Sequence, residues 1–148
     1  MAEISIFMKR LIALLFLLPL ALASCEINRN ISRDARFKNL VGRPIVTRVP
    51  LKLYEIDYQL NGLKDRYALG GEVGGQPLVG IVPTGYSVFF EKAMRRDIPD
   101  ASFERLDGVV EFRGKSYLIS YFLGLSGKSS SDFWKGLRYD FVIPDSPN

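Results

Sequence analysis

The side chains able to do acid–base or nucleophilic chemistry in this 148-residue chain leave one gap at the outset: there is no histidine. Ser-His-Asp and Cys-His catalysis, histidine metal sites and histidine-based pH sensing are therefore closed to it. Carboxylates are plentiful (Glu72, Glu91, Asp97, Asp100, Glu104, Asp107, Glu111, Asp132, Asp140), and two of them flanking a sugar bond would make a glycosidase pair. Acids on alternating strands usually occupy a solvated face, and these lack the dense oxygen-ligand spacing of a calcium loop. Gly124-Leu125-Ser126-Gly127-Lys128-Ser129 ends like a phosphate loop, but that pattern needs glycine where Phe122 stands, and no amphipathic helix is expected after it. Gly70-Gly71 and Gly74-Gly75 lack the strand–turn–helix setting of a dinucleotide site. No catalytic residue, metal site or cofactor is expected.

Aromatic side chains remain. Tyr54, Tyr58, Tyr67, Tyr86, Tyr117, Tyr121, Phe133, Trp134 and Tyr139 are more than a small core needs. Most are expected to plug the core and shield its ends. Trp134 with Tyr139, beside the Gly/Ser loop, is the candidate partner-binding surface, because Tyr and Trp anchor interfaces well.

The remaining chemistry is that of Cys25, the only cysteine, so no intrachain disulfide forms. It follows Lys9 and Arg10, then the apolar run Leu11 to Leu22, then small residues. That run has the length of a signal-peptide core and is short of the ~20 apolar residues a membrane span needs. Leu22-Ala23-Ser24-Cys25 resembles the lipobox of bacterial lipoproteins. The resemblance implies that the Cys25 thiol carries a diacylglyceryl group, that signal peptidase recognises Leu22, Ala23 and Ser24 and cuts before Cys25, and that the new amino group is acylated. Two or three chains make a stable anchor where one is marginal. The residue after the cysteine is Glu26, not the aspartate that in Gram-negative lipoproteins favours inner-membrane retention. The implied address is the cell envelope, at the outer membrane facing the periplasm if the source is Gram-negative. Met8 is a more natural start than Met1, since Glu3 precedes the positive segment.

On this reading residues 1–24 are a signal peptide, 25–39 a lipidated N-terminus and tether, and 40–148 one β-rich domain. Removing Lys9, Arg10 and Glu3 lowers the formal charge of +4 by one. The remaining cations are interleaved with acids, as in Lys64-Asp65-Arg66, so no nucleic-acid partner is expected.

The texture from Leu40 onward is that of strands. Ile45 to Val49 is β-forming between Pro44 and Pro50, and Leu51 to Tyr58 alternates. Asn61-Gly62 predicts a hairpin turn, with Arg66 to Leu69 returning. Leu78 to Val82 and Tyr86 to Met94 follow, the latter with Val88, Phe90 and Met94 on one side and Phe89 and Ala93 on the other. Arg95 to Asp100 reads as a charged connection. Phe103 to Phe112 and Lys115 to Leu123 read as a hairpin across Arg113-Gly114, Gly124 to Asp132 as a loop, and Trp134 to Ile143 as the last strand. The fold class is mainly β: a small antiparallel barrel, with a Greek-key sandwich or a lipocalin-like small barrel as alternatives. Val41-Gly-Arg-Pro-Ile-Val-Thr-Arg-Val-Pro-Leu-Lys-Leu-Tyr54 and Val82-Pro-Thr-Gly-Tyr-Ser-Val88 resemble small SH3-like envelope domains, which implies an SH3-like barrel.

The function expected is that of a membrane-anchored, non-enzymatic binding or structural module with an envelope protein or peptidoglycan as partner. The alternative is an inhibitor or immunity lipoprotein that blocks a toxin or wall-degrading enzyme with the loop at Gly70–Gly75 or Ser126–Ser131.

Overall fold

The computed structural model describes residues 27–56, 65–71, 75–125 and 130–143. Among them the architecture is mainly β, a single sheet curled into a half-barrel. The strands are β1 (Ile27–Asn30), β2 (Pro44–Thr47), β3 (Leu51–Glu55), β4 (Tyr67–Leu69), β5 (Leu78–Val82), β6 (Ser87–Ile98), β7 (Ala101–Phe112), β8 (Lys115–Leu125) and β9 (Phe141–Val142). They lie in the order β5-β3-β4-β8-β7-β6-β2-β9, with β1 on the far end of β6. All pairs are antiparallel except β4 with β8.

The meander β6–β7–β8 is the backbone of the sheet. Arg113 (φ 52°) and Gly114 (φ 73°) both take the left-handed region that a two-residue hairpin turn requires, as expected at that dipeptide. Arg95 to Asp100 differs from the expected connection: β6 runs on to Ile98, and Pro99-Asp100 alone makes the turn. Ladder bonds to β7 on one side and β1 on the other hold this charged stretch extended despite its composition.

Three bulges bend the sheet. On β6 the register steps from Phe90↔Gly108 to Lys92↔Asp107, so Glu91 is the extra residue. A bulge resets the alternation of faces. Val88 and Phe90 point into the core as expected, but beyond the bulge it is Ala93, at 0% exposure, that joins them, and Met94 turns to the other face. Gly108 receives the bulge. A Cβ there would sit 2.1 Å from the Phe89 carbonyl oxygen, so no larger residue fits against this backbone. The other bulges place Val79 and Leu123 as the extra residues.

The concave face is filled by Leu53, Leu69, Val82, Val88, Phe90, Leu106, Val110 and Ile119 from the sheet, with Phe37 and Leu40 from the N-terminal segment and Leu137 and Phe141 from the C-terminal one. Phe141 meets Phe90 and Tyr121 edge-on at 5.6 and 5.1 Å, contacts worth about 0.5–1.5 kcal/mol each beyond area burial.

Two segments differ from expectation because distant partners decide them. The stretch expected as a tether is part of the fold from Ile27 on. β1 pairs with β6, the Ser32 hydroxyl accepts the Ala93 N–H at 2.9 Å, and Asp34 caps a 3-10 turn (Ala35–Phe37) that drives Phe37 into the core. The last strand expected over 134–143 is instead a helix, α1 (Ser130–Asp140), with only Phe141 and Val142 extended. Phe133, Leu137 and Phe141 stand at i, i+4 and i+8, a helical spacing too brief to outweigh the β-forming texture. Of the loop expected over Gly124 to Asp132, Gly124 and Leu125 belong to β8 and Ser130 to Asp132 to α1, while residues 126–129 lie outside the described residues. The Asn61-Gly62 turn lies outside the described residues, while β3 and β4 on either side pair antiparallel as a hairpin does.

The segments singled out as SH3-like meet at Thr47. Its hydroxyl donates to the Pro83 carbonyl at 2.7 Å and accepts the Tyr86 N–H at 3.0 Å, stapling the turn that leads into β6.

Candidate functional site

Sheet geometry sorts the carboxylates. Glu104 and Asp107 are both buried on β7, but Glu104 lies on the concave side of the strand alternation and Asp107 on the convex side. They cannot act on one bond. Asp107 is 1% exposed and accepts from Ser120 Oγ at 2.7 Å and from Arg105 Nε at 3.0 Å. Arg66 Nη1 stands 4.0 Å away and donates to the Ile119 carbonyl at 3.1 Å. Asp107 and Ser120 are direct cross-strand partners, so register alone brings them together. Glu104 receives both terminal nitrogens of Arg36, at 3.0 and 3.1 Å. Arg36 also donates to Asp34 through Nε and Nη2, at 3.0 and 2.8 Å. These hydrogen bonds, first to Asp34 and then to Glu104, raise the Arg36 pKa, and the same contact lowers that of Asp34.

Two further groups pin the ends. At the β6–β7 turn Asp97 accepts from Ser102 Oγ at 2.5 Å and from Arg95 Nε at 2.8 Å, with Arg29 at 3.4 Å. Ser102 and then Arg95 hold its carboxyl below the usual range. At the C-terminus of α1 the Tyr121 hydroxyl donates to Asp140 at 2.5 Å. Burial, followed by that hydrogen bond, pushes the Tyr121 pKa well up. Each of these acid–base groups therefore has a hydrogen-bond partner inside the fold. Among the described residues no three metal-ligating side chains cluster.

Cys25 and the recognition residues Leu22, Ala23 and Ser24 lie outside the described residues. Trp134 lies in α1, and Tyr139, near its end, is 68% exposed. Tyr54 and Tyr121 are core residues, and Tyr67 and Tyr117 pack edge-on at 5.0 Å, half-buried. Contrary to expectation, a helix does follow the Gly-Lys-Ser stretch. Residues 126–129 are not described, and the glycine that the phosphate loop needs is still Phe122. The inhibitory loops proposed at Gly70–Gly75 and Ser126–Ser131 fall partly outside the described residues.

What sequence reasoning missed is the convex face. Phe89, Val109 and Leu118 occupy one row across β6, β7 and β8, with Phe89 40% and Leu118 44% exposed. Val46 and Val142 form an exposed pair on β2 and β9, and Phe122 sits further along β8, 46% exposed. The one sequence signal was the doubled apolar pairs Phe89-Phe90, Val109-Val110 and Leu118-Ile119, which place an apolar group on both faces. The chain matches no family model, no curated protein and no solved structure.

Proposed function

We propose that this chain is a lipid-anchored envelope protein that works by binding another envelope component. Leu22-Ala23-Ser24-Cys25, set after a charged start and an apolar run, supports the anchor. Support for binding over catalysis comes from the missing histidine and from buried acids already committed to arginines. The SH3-like segments support the envelope setting, and they adjoin through Ile45↔Val88 and Leu51↔Val82. The observation that carries the binding role is the apolar row Phe89–Val109–Leu118, exposed at Phe89 and Leu118 and half-buried at Val109.

The test is a photo-crosslinking residue at Leu118 in the full chain, expressed in a Gram-negative host, beside one at the exposed Ser116. A discrete adduct with an envelope component at Leu118 and none at Ser116 is expected. Intact mass should give a chain starting at Cys25 plus diacylglyceryl and acyl groups, lost in Cys25→Ser. A chain that keeps its first residues and carries no lipid refutes the anchor. Turnover of an envelope substrate by the purified domain refutes the binding role.

A further inference from the structure

We infer that the turn joining β6 to β7 sits in the lipid headgroup layer and is the domain's docking surface on the bilayer. The inference rests on the anchor reading above and adds which part of the protein meets the membrane. Only Glu26 separates Cys25 from Ile27. A chain spans at most about 3.6 Å per residue, so the Cα of Cys25 lies within ~7 Å of that of Ile27. Ile27 is no free tether. It is the first residue of β1 and is paired with Asp97 on β6, next to Ile98 and the Pro99-Asp100 turn. The polar layer on each side of a bilayer is only about 5–8 Å thick. A lipidated Cys25 therefore has no slack with which to hold this end of the sheet clear of the surface.

The chemistry at that end suits the place. Ile27 is 44% and Phe103 39% exposed, Pro99 is exposed, and Ile98 is half-buried. Phe103 lies beside Arg96, and Arg29 beside Arg95. Apolar and aromatic groups interleaved with arginine are what an interfacial segment presents to headgroups and upper acyl chains. Among the described residues the acids at the tip are Asp97 and Asp100, against Arg29, Arg95 and Arg96, and Glu26 precedes Ile27 in the sequence. Asp97, the carboxylate nearest the anchor strand, is already paired with Arg29 and Arg95. The opposite end of the meander, at Tyr86 and the Arg113-Gly114 turn, lies ten strand residues away along β6, roughly 33 Å at 3.3 Å per residue.

The experiment uses the lipidated full protein, reconstituted in vesicles of phosphatidylethanolamine and phosphatidylglycerol (3:1) carrying a nitroxide at headgroup depth. Tryptophan is introduced as Phe103→Trp, Pro99→Trp or Tyr86→Trp, and the quenching of Trp134 in the parent is subtracted. Two tip variants are used so that one misfolded substitution does not end the test. Quenching at 99 and 103 several-fold above that at 86 is expected. With lipid confirmed on Cys25 by intact mass, weak quenching at both tip positions overturns the docking surface and leaves the anchor standing. Quenching at 86 equal to that at the tip overturns it as well, since the sheet would then lie flat. A mass without lipid overturns the anchor and this inference together.

Discussion

Gly108→Ala would unseat the bulge on which the curvature of the sheet depends. The added Cβ would lie 2.1 Å from the Phe89 carbonyl oxygen and 2.8 Å from the Phe90 Cα. Both neighbours are backbone in the middle of the meander, so no flexible side chain can swing aside. Relief requires the strands to part by about 1 Å, since tolerable Cβ contacts begin near 3.0–3.4 Å. Overpacking of this kind costs about 1–3 kcal/mol, and loosening one or two ladder hydrogen bonds adds roughly 0.5–1.5 kcal/mol each. We expect a loss of about 1.5–6 kcal/mol, a large part of the 5–15 kcal/mol typical of a domain. Urea unfolding followed by Trp134 fluorescence, in the chain from residue 25 with Cys25→Ser, measures it. Gly136→Ala is the matched control. It adds the same methyl within α1 into space with nothing within 4 Å, and should stabilise by about 0.5–1 kcal/mol. A Gly108→Ala cost below 1 kcal/mol would refute the close approach of the bulge.

Three further outcomes are expected. Asp107→Asn leaves Arg105 and Arg66 around an uncharged partner and should cost about 3–5 kcal/mol in the same assay. The folded-state pKa of Tyr121 is raised, so its contribution is present below the unfolded value of about 10 and is lost as pH climbs above it; Tyr121→Phe should flatten the alkaline limb of the stability–pH curve. Phe89→Lys, with the photo-crosslinking residue kept at Leu118, should cost no more than about 2 kcal/mol and abolish the crosslinked adduct, separating surface from scaffold.

The meander was legible in the sequence because its cause is local. Alternation and Arg113-Gly114 act between neighbours, and the structure follows them. The parts that were not legible depend on distant partners. β1 is a strand only because β6 offers an edge, and α1 forms where Leu137 closes the core. The Glu91 bulge is invisible without knowing that Gly108 lies opposite. The buried Asp107–Ser120 pair left a faint trace. Each is a polar break in an apolar run, Leu106-Asp107-Gly108-Val109 and Leu118-Ile119-Ser120-Tyr121, but pairing them needed the register. The Phe89–Leu118 row was obscured by the same doubling of apolar residues that fills the core beneath it.

The last pairing in the sheet has a consequence for when the protein can fold. Val46 and Thr47 are closed on one side by Val142 and Phe141, about two-thirds of the chain later, and Phe141 completes the packing around Phe90. β1 likewise waits for β6, and β4 for β8. Contacts this distant in sequence are slow to form, because the intervening chain must be gathered first. A chain emerging N-terminus first from a ribosome thus has no complete core until Phe141 is out. Pulse-labelled hydrogen exchange during refolding should find β6–β8 protected before β2 and β9.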